Sequence, residues 1–275
     1  MPTLIIVPGF NEPSRDLKFM IDGRNGIPGF AARGYDCCFF DQHNDELSDR
    51  IDRYREYILA LLAEGREFPV ISWGYSAGGI LVLSLLRRYP DMTELISHTI
   101  QVGALNWGIA ADFLPQLAML LRISDRAMSE LDIHGDYMRW LNGTGGHWAW
   151  RPGEKEKFWE LDAPPIVGPP GAKILSIFGQ VPKFGDDNDG IVWVDSATLG
   201  GVMDAHAIRA DDANHLNLVG LFQLAVRIFK GFIANDRIWP QVIDATVRYV
   251  ETGAFGPNPE SALAEHPLRP EDPPR

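Results

Sequence analysis

Ser76 lies in Gly74-Tyr75-Ser76-Ala77-Gly78, where an apolar run, Phe68-Pro69-Val70-Ile71-Ser72-Trp73, meets an apolar-periodic run that begins at Ala77. A serine flanked by glycines at this spacing suits a sharp strand-to-helix turn. The hydroxyl is then raised at the strand's C-terminal end, and the glycines stand where neighbouring backbones approach closely. Such a serine could attack an acyl carbon, provided that a base removes its proton and a third group orients the base. Taken alone, the pentapeptide equally describes an ordinary glycine-rich turn. Its partners decide between the two readings.

For a serine on a strand-to-helix turn, the acid follows the nucleophile along the chain and the histidine follows the acid. Ile174-Leu175-Ser176-Ile177-Phe178 reads as a later strand, and the stretch from Gly185 to Val192 beyond it offers Asp186, Asp187 and Asp189. Spacing alone does not separate the three. The histidines that follow are His206, His215 and His266. His206 opens the last strand and therefore sits at the opposite edge of a parallel sheet from Ser76, while His266 lies in a proline-rich tail. His215 follows that strand through Asp211-Asp212-Ala213-Asn214 and heads an apolar helix, so it can reach the C-terminal edge and act as a general base. An oxyanion formed at the acyl carbon needs N–H donors, expected from Ala77 after the nucleophile and from Phe10 in the loop after the first strand.

The elements that must position these groups are short apolar runs alternating with helical patterns, the signature of a parallel sheet covered by helices on both faces. Strands are expected near residues 3–7, 36–40, 69–73, 97–103, 172–178 and 205–210. Leu47, Ile51, Tyr54, Ile58 and Leu61 recur at steps of four and three and predict a helix over 46–64. A second helix runs from Ala77 to Arg88 and stops before Pro90, and a third, apolar nearly all round, runs from Leu216 to Ile233.

Between residues 106 and 170 the alternation lapses, and five tryptophans gather there with Gly143-Thr144-Gly145-Gly146. This reads as a cap inserted over the sheet's C-terminal edge, dividing a core of residues 1–105 and 171–255. Its tryptophans either form a small core of their own or accept an apolar acyl chain; Trp107 and Trp148, with Tyr75, are the expected substrate contacts. Residues 256–275 hold Pro257, Pro259, Pro267, Pro270, Pro273 and Pro274, and are expected to be an extended or disordered tail.

A chain of 275 residues with 45% hydrophobic content supports one large α/β domain with an insertion, and no apolar run is of transmembrane length. The net charge of −12 excludes a nucleic-acid partner and disfavours anionic membrane surfaces. Met1-Pro2-Thr3-Leu4-Ile5-Ile6-Val7 has no basic segment and is too short for a signal-peptide core. Cys37 and Cys38 are adjacent on an expected strand and point to opposite faces, which favours two free thiols. These features lead to the expectation of a cytoplasmic protein; they are silent on its oligomeric state.

Asn188-Asp189-Gly190-Ile191-Val192 resembles the acid motif of bacterial lipases in the α/β-hydrolase superfamily, and Asn214-His215-Leu216 resembles their histidine segment. Ser129-Glu130-Leu131 and Tyr137-Met138-Arg139-Trp140-Leu141-Asn142 are similar to the stretch before their lid-like region, and in all the resemblance spans about residues 3 to 232. It implies an α/β-hydrolase fold, with a mostly parallel six-stranded sheet, and a lipase- or esterase-like serine hydrolase. Such an enzyme cleaves small-molecule carboxylic esters through an acyl-enzyme intermediate and requires no cofactor. The resemblance also implies Asp189 as the triad acid, with Asp187 as the runner-up. An acyltransferase or thioesterase with the same triad, or a catalytically silent binding protein of that fold, are the alternatives. The chain departs from the pattern at Pro8, where many lipases carry a histidine before the glycine. It departs again at Asn217, where some place a calcium-binding aspartate, so no metal is expected.

Overall fold

The computed structural model describes residues 1–10, 14–41, 46–106, 108–109, 124–132, 134–142, 146–150, 157–161, 173–181, 205–219, 237–254 and 263–265. In chain order its strands are β1 (Thr3–Val7), β2 (Asp36–Phe39), β3 (Val70–Tyr75), β4 (Ile96–Val102), β5 (Gly146–Trp150), β6 (Lys157–Leu161), β7 (Ile174–Gln180), β8 (Ala205–Asp211) and β9 (Leu263–Glu265). The helices are α1 (Ser14–Asp22), α2 (Leu47–Ala63), α3 (Ala77–Arg88), α4 (Asp125–Ser129), α5 (Asp136–Asn142) and α6 (Ile238–Thr252).

Seven strands form one sheet in the order β2-β1-β3-β4-β7-β8-β9. The first six are parallel, and β9 runs antiparallel to β8. All six expected strands are present within a few residues of their expected bounds. The sheet has a seventh strand beyond the six expected: within the tail, Leu263–Glu265 is extended and pairs with Ile208–Ala210, and Leu263 is buried. Between β4 and β7, β5 and β6 make a separate antiparallel pair with Trp148 opposite Trp159.

The near-continuous apolar strands are explained by burial on both faces. Ile5 and Val7 of β1 pack with α2 and α3 through Leu47, Ile51, Ile58, Ile80 and Leu81. Leu4 and Ile6 face the other way, into a core built with Leu17 and Met20 of α1 and Trp239, Val242 and Ile243 of α6. Period-two alternation along one strand thus feeds two cores, and each fully buried Leu or Ile contributes roughly 1.5–3 kcal/mol. Helix α3 is apolar in every position from Ala77 to Leu83, so it is enclosed rather than merely leaning on the sheet.

The strand order reverses beside β1. The chain steps from β1 outward to β2, then returns to the other side of β1 to place β3, and continues outward through β4, β7 and β8. The helices after β1 and β3 pack on opposite faces, α1 in one core and α3 in the other, and in a doubly wound sheet such a switch point, at the carboxyl ends of the strands, is the usual ligand position. Val7 and Gly74 are register partners at this edge, so Phe10 and Ser76 leave the sheet side by side. Cys37 and Cys38, on the outer strand β2, are both free and half-buried, as expected; burial pushes the Cys37 thiol up to about 12. Among the described residues, no helix is long and apolar enough to cross a membrane.

Candidate active site

Strand β3 ends at Tyr75 and helix α3 starts at Ala77, so Ser76 alone makes the turn. It does so at φ 53° and ψ −123°, a conformation that L residues rarely adopt and that persists only where the surroundings enforce it. Two hydrogen bonds hold it: the Ser76 N–H donates to the Val102 carbonyl (2.8 Å), and the Gly79 N–H donates to the Ser76 carbonyl (3.0 Å). The flanking glycines are required by contact. A Cβ on Gly74 would lie 2.5 Å from the Gly78 carbonyl oxygen. One on Gly78 would collide with the carbonyl of Val7 and lie 2.8 Å from that of Pro8. The backbone that leads to Phe10 therefore rests directly against the first turn of α3. Ser76 is buried to 8% exposure, at the helix N-terminus where unpaired N–H groups and the helix dipole favour negative charge.

His215 reaches the same edge from 139 residues away. Strand β8 delivers the chain to Asp211, Asp212 turns it at φ 55°, and a short 3-10 turn at Asn217–Val219 receives it. Asn214 shapes that turn, its side-chain oxygen accepting the Asn217 N–H at 2.9 Å. The helix expected over Leu216 to Ile233 is described only in this 3-10 turn, and residues 220–233 lie outside the described residues. His215 is 3% exposed. The Tyr75 hydroxyl donates to its carbonyl oxygen (3.2 Å), and the two rings lie 5.0 Å apart at 34°. On another side lies Gly103, just past β4 at φ 57°, where a Cβ would sit 2.8 Å from Cε1 and 2.9 Å from Nδ1 of the imidazole. Since Val102 holds the Ser76 amide and Gly103 abuts the His215 ring, two consecutive residues of one strand end locate both groups.

Tyr75, expected to contact substrate, is buried and packs beside His215. Asp186, Asp187, Asp189, Trp107 and His266 lie outside the described residues, and Trp148 is described as backbone only. His206 stands exposed near the start of β8, against Tyr249, away from Ser76 as sheet polarity requires.

A buried amide network beneath the turn was not visible from motifs. Gln101 on β4 donates to the Gly79 carbonyl (3.0 Å) and to Asn106 Oδ1 (2.8 Å), and Asn106 Nδ2 donates back to Gln101 Oε1 (3.0 Å). Asn142, at the end of α5, donates to the Asn106 carbonyl (3.1 Å). Nearby, the Tyr137 hydroxyl donates to Ser84 Oγ (2.6 Å), fastening α5 to α3, and burial pushes the Tyr137 phenol up.

No protein-family model matches the sequence, and no curated protein matches it. Solved structures do. The mature lipase BlEst2 of Bacillus licheniformis is 20% identical, with a TM-score of 0.56 over 83% of this chain and 90% of its own. A metagenomic carboxyl esterase, MGS0156, is 17% identical, with a TM-score of 0.57 over 92% of this chain and 76% of its own. The chain has the α/β-hydrolase fold. A soluble variant of monoglyceride lipase from Saccharomyces cerevisiae shares it at 12% identity, with a TM-score of 0.55 over 93% of this chain and 88% of its own.

In the α/β-hydrolase fold a strained turn of this kind presents a serine hydroxyl above the sheet. Two N–H groups face it, one from the next residue and one from a neighbouring strand-to-helix loop. In this chain Ala77 follows Ser76 at the start of α3, Phe10 follows β1 on the adjoining segment, and His215 follows β8, the last parallel strand.

Proposed function

We propose that the protein is a serine hydrolase that cleaves carboxylic esters through an acyl-enzyme intermediate. The observation that carries this reading is the pairing of a serine strained at φ 53° with a histidine brought from 139 residues away to the adjoining strand end. A positive-φ serine is costly, by about 1–3 kcal/mol, and is seldom retained without use. The fold's solved neighbours include proteins named as lipases and a carboxyl esterase, which agrees with this chemistry.

Ser76 Oγ attacks the acyl carbon while His215 takes its proton. The carbonyl oxygen becomes an oxyanion held by the N–H groups of Phe10 and Ala77. Collapse breaks the bond to the alcohol oxygen, which leaves with the proton from His215 and leaves the acyl group on Ser76. Water, deprotonated by His215, then releases the acid. Asp189 fixes the histidine tautomer, and residues 106–170 cap the site and supply Trp107 and Trp148 to the acyl chain. No cofactor takes part in these steps.

A fluorophosphonate probe should label the wild type at Ser76, and p-nitrophenyl esters of graded chain length should turn over. Ser76→Ala should abolish both. An unlabelled, inactive wild type, or a fully active Ser76→Ala, would overturn the reading. Asp189→Asn should lower kcat by about 10⁴-fold with the melting temperature preserved. If Asp187→Asn is dead instead, the acid is Asp187.

A further inference from the structure

Arg50 is the one charged residue of α2 that is buried, at 2% exposure, and the mechanism above makes no use of it. Its guanidinium carbon lies 4.9 Å from the centroid of the Phe10 ring, so a delocalised cation sits over an aromatic face. Phe10 is itself buried, and its backbone follows Pro8 and Gly9 away from β1. Proline at position 8 donates no N–H and carries no polar side chain with which to brace that segment.

The helix that carries Arg50 is anchored at its first turn. Glu130, on the segment that follows α4, receives the N–H of Leu47, the N–H of Ser48 (3.1 Å) and the Ser48 hydroxyl (2.5 Å). A carboxylate thus satisfies the first N–H groups of α2 from 82 residues away, at the helix end where negative charge is favoured. Arg50 stands one turn further along the same helix.

We propose that Arg50 is a positioning residue for the oxyanion loop: its guanidinium, seated on α2 by the Glu130 cap, fixes the Phe10 ring and so aims the Phe10 N–H. The inference rests on the proposed ester hydrolysis, in which that N–H serves the oxyanion. Preorganised donors act through their placement, so a loosened Phe10 weakens transition-state binding while leaving ester binding largely as it was.

The test compares wild type with Arg50→Met, Arg50→Lys, Phe10→Leu and the Arg50→Met/Phe10→Leu double variant. Each is measured for melting temperature, for kcat and KM on a p-nitrophenyl ester, and for inhibition by a trifluoromethyl ketone, whose serine adduct carries the oxyanion. The expected result for Arg50→Met is a kcat about ten-fold lower, or about 1.4 kcal/mol. KM should stay within about two-fold, and ketone affinity should fall by the same factor as kcat. Arg50→Lys, which keeps the charge and loses the plane, should fall between. The double variant should lose no more than Phe10→Leu alone. If Arg50→Met fails to fold, Arg50→Lys carries the test with the same two readouts. Wild-type kcat and ketone affinity in a folded Arg50 variant would overturn the inference, as would additive losses in the double variant. In both cases Ser76-dependent turnover by the wild type still stands, so this failure is distinct from failure of the functional reading.

Discussion

Gly78 and Gly103 are both required by close approach, yet they guard against different collisions. A side chain at Gly78 meets the backbone of β1, which is locked into the sheet on both sides and cannot give way. A side chain at Gly103 meets the His215 imidazole and the tip of Leu218, which can move. Gly78→Ala is therefore expected to destabilise the fold by about 3 kcal/mol or to prevent folding. Gly103→Ala should fold, with some cost for an alanine at φ 57°, and lose at least about 100-fold in kcat, because the proposed base His215, displaced by an ångström, would be out of reach. Denaturant titration and ester kinetics on the two variants separate these outcomes; equal melting losses with unchanged kcat in Gly103→Ala would count against its role in placing His215. The glycines beside Ser76 were legible in the sequence because the turn is local. Gly103, Asn214 and the Tyr75–His215 contact were not, since each depends on residues that only the sheet brings together.

At the scale of elements, the apolar spacing of α2 and the enclosed run of α3 were readable because burial imposes periodicity directly on sequence. Strand β9 was not. It is three residues long among prolines, and it exists because the outer edge of β8 offers unpaired backbone groups. The Gln101–Asn106–Asn142 network was equally hidden, for amides carry no periodic signature, yet it joins β4, the first turn of α3 and the end of α5. Asn106→Leu is expected to cost about 2–3 kcal/mol, since it strands the buried Gln101 amide. The Gln101→Leu/Asn106→Leu double variant should cost less than the sum of the two single changes, because it removes both members of the pair. Urea unfolding of the three proteins checks this; strict additivity would mean that the two amides act separately.

The residues proposed to do chemistry lie at one edge of the sheet, and a buried histidine lies at the other. His98, on β4, is buried against the edge of Tyr249, with Ser97 Oγ 3.1 Å from Nδ1. Its Nε2 has no hydrogen-bond partner among the described residues. Burial, reinforced by the Lys173 ammonium, holds the imidazole down to about 4. His206 flanks the other side of the Tyr249 contact, at the same end of the sheet. Because the folded protein resists protonating His98 more than the unfolded chain does, the unfolded chain binds more protons between the two pKa values. Stability therefore rises with pH across that window. As pH falls from about 6.5 towards 4, His98 should withdraw on the order of 2–3 kcal/mol of folding stability, with no further loss from this residue below that range. Guanidinium unfolding at pH 7.5, 5.5 and 4.0 should show this slope in the wild type and a shallower one in His98→Leu, which cannot titrate. Equal slopes in the two proteins would assign the acid sensitivity to carboxylates instead. Activity supplies the complementary check, because Ser76 and His215, the residues proposed to cleave the ester, lie at the far end of the strands. The pH profile of kcat/KM measured at temperatures where both proteins are fully folded should coincide for wild type and His98→Leu, so that acid acts on the fold through one edge and on catalysis through the other.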